Sequence, residues 1–359
     1  MNRLNLIVTG LFITAIMFAG CEKKVEDEDK YVVIENSLEQ GVYLVGYEDK
    51  DGHSIAKMWK RGEAKKLADG TNVSWARSVY VSGNDVYAAG IEISPNGRIA
   101  TLWKNGTAQN LTDGTYDAEA MSVFVSGNDV YVVGGFGDYN YGNYAMLWIN
   151  GEPQLVDNKE QYPDGFRWGI DAVAYSVFVS GSDVYVAGIA KDKGGEVWKS
   201  DNWVVTVWKN GEAQFLTDAS RRAIANSVYV SGDDVYVAGY VEESNGEVAT
   251  LWVNGIAQTL PDGTNARYVF VSGSDVYVAG QRDVFVAKLW KNGIDQNLNV
   301  GNLGGSSASS VFVSGNDVYV IGEGSRDLLT TGSQSRLWKN GEMRTFAASQ
   351  KVLGIFVVD

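Results

Sequence analysis

Polar and apolar residues alternate along this chain in short runs that recur in a fixed order. The phrase "SVYVSGNDVYAAG" begins at Ser78, and close copies begin at Ser122, Ser176, Ser227, Tyr268 and Ser310. Each is followed by an "LW" pair ("VW" after the copy at Ser176) that leads into "KNG" or a variant, and then by a phrase of the kind "AQNLTDG". The runs are rich in Val, Tyr, Phe and Trp and stop at Gly, Asn or Asp, the pattern of short strands bounded by turns. Four such strands, A to D, repeating every forty to fifty residues, predict the blades of a propeller.

The tryptophans of the third strand count the blades: Trp59, Trp103, Trp148, Trp208, Trp252, Trp290 and Trp338 make seven. Strand B also occurs seven times, beginning with "GVYLVG" at Gly41, but only six A strands precede a B strand. The seventh is expected at the far end, in "LGIFVVD" from Leu353 to Asp359. The expected fold is all-β: a seven-bladed β-propeller over 39–359, four antiparallel strands per blade, closed by the C-terminal strand joining the N-terminal blade. Val, Phe and Tyr are expected between blades and Gly at the turns.

A four-strand meander places the A–B and C–D turns on one face of the disc and the B–C and D–A connections on the other. From the Ser of "SG" to the Gly ending strand B is eight residues in all six copies. "SGND" suits a type II′ turn and "KNGE" a type I′ turn. The repeated Asp of this tight face (Asp85, Asp129, Asp183, Asp234, Asp275, Asp317) is read as hydrogen-bonding turn amides rather than as an acidic metal-binding ring. On the other face, 11, 11, 12, 18, 11, 8 and 14 residues separate the Gly of strand B from the residue before the Trp in successive blades. Loops free of scaffold constraint are where binding residues usually sit.

The longest insertions adjoin blades 3 and 4 and carry aromatic rings beside polar groups. The candidate ligand-binding residues are Trp75, Tyr139, Tyr141, Arg167, Trp168 and Trp198, with Phe136, Tyr144 and Trp203 nearby. Flat apolar rings among Asp, Asn and Arg suit a sugar face or a peptide. The competing reading is that the rings pack on one another and hold the loops.

The first twenty residues, a basic start at Arg3 and the apolar run "LIVTGLFITAIMFAG", read as an export signal too short to span a membrane comfortably. The sole cysteine, Cys21, follows "FAG"; this resembles the bacterial lipobox, departing from it at Phe18, and implies lipidation at Cys21. The alternative is a free cysteine behind an uncleaved anchor. Residues 21–38 then form a charged tether, whose acidic stretch resembles the surface-export signal of Bacteroidetes lipoproteins. The expected localisation is the outer membrane, with membrane contact only through the lipid. A formal net charge of -14 repels nucleic acid over long range, so no nucleic-acid partner is expected.

Chemistry-bearing motifs are sparse. His53 is the only histidine and is read as a loop residue; no metal site and no cofactor are expected. "DKDG" from Asp49 matches a fragment of a calcium loop without its later ligands. Overall the chain resembles seven-bladed "LWKNG" propellers of secreted Bacteroidetes lipoproteins, a resemblance that specifies architecture. The favoured reading is a noncatalytic, monomeric, lipid-anchored module binding a glycan or another cell-surface protein on the variable face around blades 3 and 4. The alternatives are a polysaccharide lyase or hydrolase using carboxylates (Glu92, Asp138, Asp171, Glu196, Glu242, Glu243, Asp283, Asp327) and arginines (Arg77, Arg167, Arg267, Arg282) around the channel mouth, or a scaffold subunit of an outer-membrane complex.

Overall fold

The computed structural model describes residues 38–138, 142–157, 172–191, 203–283, 286–298, 305–325 and 333–358. The chain divides into two units, Met1–Val32 and Val33–Asp359, the first of which lies outside the described residues. The second contains seven four-stranded antiparallel sheets. Blade 2 shows the plan: β4 (Val73–Ser82), β5 (Asp85–Ser94), β6 (Gly97–Lys104) and β7 (Thr107–Asn110) form one meander. Blade 1 combines β1 (Val42–Lys50), β2 (His53–Lys60) and β3 (Glu63–Lys66) with β28 (Gln350–Val357), which pairs along β1 in the order β28-β1-β2-β3. Val42 faces Val357 and Tyr43 faces Phe356, so the last strand closes the ring where the pattern predicts.

The "LW" tryptophans are the pegs between blades. Trp103, fully buried, packs with Tyr43, Val45, Met58 and Leu67 of blade 1, and the equivalent Trp in each blade occupies the same inter-blade core. A buried tryptophan removes roughly 150–250 Å² from water, which explains why this position tolerates no substitution among the copies. The opening Ser of the "SVFVSG" phrase adds a polar peg. Ser78 Oγ accepts the amide of Val123 in the next blade, and Ser122, Ser176 and Ser227 do the same for Val177, Val228 and Val269.

The tight face has the two expected hairpins. Gly83 has φ +57° with Asn84 in ordinary conformation, and Asn105 and Gly106 are both left-handed at φ 54° and 86°. The repeated Asp departs from expectation, because it binds side chains and not turn amides. Asn105 Nδ2 donates to Asp85 Oδ1 (2.7 Å), Asn105 Oδ1 accepts the amide of Val86 (2.9 Å), and Lys104 Nζ lies 2.9 Å from Asp85 Oδ2. The same clamp ties the two hairpins in blades 4, 6 and 7, and recurs without the lysine in blades 3 and 5, where Ile149 and Val253 replace it.

Two expectations about the other face are corrected. First, much of what reads as variable loop is ladder: strands B and C continue past the repeat phrase and meet in two-residue hairpins at Asp51–Gly52, Pro95–Asn96 and Ser244–Asn245. Alternation in segments such as "IEIS" and "RIAT" carries the pairing outward. Asp49 Oδ1 accepts the amide of Gly52 there, so "DKDG" is a hairpin. His53 opens β2 half-buried and donates from Nε2 to the Gly70 carbonyl (2.8 Å), so it is not a loop residue.

Second, the Gly ending "DVYVAG" is not a turn residue. Strand A carries a β-bulge in all seven blades, where Ala76 pairs with Gly90, Ser78 pairs with Ala89, and Arg77 is the extra residue. The bulge presses the Trp75 carbonyl to 1.9 Å from where a Cβ on Gly90 would sit, and the equivalent approach is 1.8–2.1 Å at Gly46, Gly134, Gly188, Gly239, Gly280 and Gly322. Glycine is required opposite the bulge because only it leaves room for the backbone.

Candidate functional site

Strand A is innermost, touching the A strands of both neighbours all round the ring. The middle aromatic of "SVFVSG" therefore packs only partly buried against an inter-blade core and also meets its counterparts around the axis. Tyr80, Phe124, Phe178, Tyr229, Phe270, Phe312 and Phe356 form a closed circle with successive centroids 4.6–5.2 Å apart. Their interplanar angles of 45–56° match the rotation of about 51° per blade, so the ring planes run along the axis with centroids about 5.5 Å from it. This iris floors any site on the variable face. Tyr268, standing where five other blades carry Ser, packs against the core between blades 6 and 7. Burial pushes its phenol up to about 12, with the phenols of Tyr229 and Tyr80 adding to the shift.

Strand A enters the channel from the variable face, so its bulge lies about 10 Å above the iris at ~3.3 Å per residue. The bulged residues Arg77, Met121, Tyr175, Asn226, Arg267, Ser309 and Leu353 thus stand at the rim, one per blade. They differ almost entirely in chemistry, although each immediately precedes the repeated phrase. That contrast is the sequence signal for this site. Reading the phrase from its serine passes over it, and with it Met121, Tyr175, Asn226, Ser309 and Leu353.

Every blade contributes a charged, polar or aromatic side chain here. Arg77 Nη2 donates to Glu119 Oε2 (3.2 Å), which carboxylate also takes Arg98 (2.6 Å). Trp75 packs against Tyr47 at 6.0 Å, with its Nε1 buried and unpartnered. Burial raises the Tyr47 phenol, reinforced by Glu323 and Asp49. Within blade 6, Arg267 Nη2 donates to Gln281 Oε1 (2.9 Å), and between blades 1 and 7 Lys351 Nζ donates to Ser333 Oγ (2.6 Å). Ser333 Oγ in turn lies 2.9 Å from Glu323 Oε2. Asn226 Nδ2 donates to Asn265 Oδ1 and the Ala266 carbonyl, both at 2.8 Å. Burial raises Tyr175 as well.

Of the candidate binding residues, Trp75 is at this mouth. Tyr139, Tyr141, Arg167, Trp168 and Trp198 lie outside the described residues, as does Cys21. Of the blade 3 aromatics, Phe136 and Tyr144 stack on each other at 4.9 Å and Tyr116 leans on Phe136 at 5.8 Å, the packing alternative. Trp203 lies under the Lys191 ammonium at 5.4 Å. Arg282 is held by Asp262 at 2.8 Å, and Glu243 pairs with Arg221. Glu92 is shifted up, by burial first and by Asp69 next. Among the described residues no group of three or more His, Cys, Asp or Glu is placed to hold a metal ion.

No protein-family model and no curated protein matches this chain. Solved structures do resemble it. The computationally designed Ika8 protein is 17% identical with a TM-score of 0.47, covering 92% of this chain and 94% of that one. The β-propeller domain of the Trilobed protease from Pyrococcus furiosus is 12% identical with a TM-score of 0.48, covering 86% and 95%. A prolyl endopeptidase is 13% identical with a TM-score of 0.49, covering 90% of this chain and 51% of its own, so the chain spans about half the endopeptidase's length. The class is that of the seven-bladed β-propellers, closed here by the chain's own last strand.

Proposed function

We propose that this protein is a noncatalytic binding propeller, exported and lipid-anchored at Cys21, that holds a glycan at the mouth of its central channel on the variable face. The observation that carries the reading is the bulge. Seven copies of one scaffold present seven rim positions of nearly unrelated chemistry, converging on one axis above a closed aromatic floor. A concave site with a few convergent polar groups and aromatic walls is the usual form of a small-ligand pocket. Trp75 and Tyr47 supply a ring face for a sugar, and Asn226, Gln281 and Arg267 supply hydrogen bonds. Tyr139, Tyr141, Arg167, Trp168 and Trp198 belong to connections whose described flanking strands end on this same face, and they extend the proposed surface toward blades 3 and 4.

A glycan-array screen of residues 31–359 tests the reading, followed by Trp75→Ala and Tyr175→Ala. Binding that falls at least tenfold in both variants with an unchanged melting transition supports it; full affinity in both removes the mouth as the site.

A further inference from the structure

Two cations near the rim differ from most others in the ring. Lys57, Arg77, Arg282, Lys288, Lys291 and Lys339 are buried or half-buried, and each makes an ion pair with a carboxylate. Arg267 and Lys351 are also half-buried, yet among the described residues each bonds neutral groups: the Gln281 amide oxygen for Arg267, and the Ser333 hydroxyl and carbonyl for Lys351. Arg267 Nε is buried without a hydrogen-bond partner among the described residues. Glu323 on blade 7, exposed and hydrogen-bonded by Ser333, contributes a favourable field to both, and Glu247 on blade 5 adds to it at Arg267, without an ion pair to either cation among the described residues. Taking a cation out of water without a counter-ion is unfavourable, and proteins usually resolve it with a carboxylate. Among the described residues neither cation has a carboxylate in direct ion-pair contact, and both lie on the face that carries the Tyr47 and Trp75 rings.

We infer that the mouth recognises an acidic sugar, with the carboxylate of a uronic acid residue on Arg267 and Lys351 and a neighbouring sugar ring on the Trp75 and Tyr47 pair. This rests on the glycan reading given above and adds the substrate class. The guanidinium fork matches a carboxylate in two-point geometry. The formal charge of -14 disfavours long polyanions through the overall field, so the fitting ligand is a short oligosaccharide with few carboxylates.

The test is calorimetric titration of the protein with a galacturonic acid trisaccharide, the neutral galactose trisaccharide, and a hexapeptide with a free C-terminal carboxylate. Arg267→Gln and Lys351→Met are compared with the parent protein after their melting transitions are matched. The acidic trisaccharide is expected to bind at least tenfold more tightly than the neutral one, with the ratio falling to about twofold or less in Arg267→Gln. Equal affinities for the two sugars, or a ratio unchanged by both substitutions, overturn the inference and leave the glycan reading intact. Binding of the peptide alone, or of none of the three probes, overturns both.

Discussion

The carbonyl oxygen of Trp75 lies 1.9 Å from the point where a side chain on Gly90 would begin. This one contact joins the most repeated feature of the sequence to its least repeated one, since the Gly that closes every "DVYVAG" exists to admit the bulge, and the bulge sets Arg77 or its counterpart on the rim. Gly90→Ala must displace backbone, not a flexible side-chain end. Overpacking of this kind costs about 1–3 kcal/mol, and the upper part of that range is expected. Urea denaturation reads the loss, and a Gly90→Ala variant as stable as the parent would show that the carbonyl moves aside freely.

Deleting 350–358 tests closure. β28 lies along the whole inner edge of β1, with Val352, Ile355 and Val357 buried and Phe356 completing the iris. Burying such side chains contributes about 1.5–3 kcal/mol each, against a total of about 5–15 for an ordinary domain. Loss of a cooperative melting transition is expected. The N-terminal side adds a second fastener: Leu38 is buried in the same core, and Glu39 accepts hydrogen bonds from Tyr319 (2.8 Å) and Lys339 (2.6 Å) of blade 7. The truncated chain retaining the parent transition would leave closure to those contacts alone.

Blade number, strand order, closure and both tight turns were legible because each depends on local alternation or on turn residues of fixed backbone demand, as at Asn105 and Gly106. The role of Gly90 was not legible, because a glycine at the end of an apolar run reads equally as a turn or as a close approach. The axial direction of Tyr80 was hidden for a related reason. Period-two alternation assigns a residue to a face of its sheet, and only ring closure makes one face of the innermost strand look down the channel. The site followed the same rule: Arg77 and Arg267 stand out as charges, while Met121, Tyr175 and Asn226 are visible only once the bulge is known to lift that position out of the ladder.

Tyr268 offers a spectroscopic check on the packing beside the iris. Its phenol and that of Tyr240 are each pushed up to about 12, both chiefly by burial, with Glu247 assisting at Tyr240. Ultraviolet titration of the folded protein is expected to show phenols that ionise about two units above the ordinary value near 10. Tyr268→Phe removes one of them and leaves the rest of the curve in place. A titration complete by pH 11 in the folded protein would mean that water reaches this phenol.

Acid stability follows from the clamps of the tight face. Hydrogen bonds from Lys104 and Asn105 lower Asp85 below its ordinary 3.8, those from Lys209, Lys291 and Lys339 with their adjoining Asn residues do the same for Asp183, Asp275 and Asp317, and Lys339 lowers Glu39 below 4.5. A carboxyl lowered by folding stabilises the native state fully above its unfolded value and loses that contribution as pH falls through the lowered one. Lys339 is shifted the other way, by Asp317 first and Glu39 next, so its contribution is complete below the ordinary lysine range and fades only in strong alkali. The melting temperature should therefore be level from about pH 9 to 5 with respect to these groups and decline below about pH 4. Asp317→Asn, which removes the carboxylate shared by Lys339 and Asn340, should lower the plateau modestly and flatten the acid limb. These pairs are solvent-exposed and screened, so about 1 M salt should reduce the difference between parent and variant. A decline already under way between about pH 7 and 5, or an acid limb identical in the variant, would assign acid unfolding to groups other than the clamps.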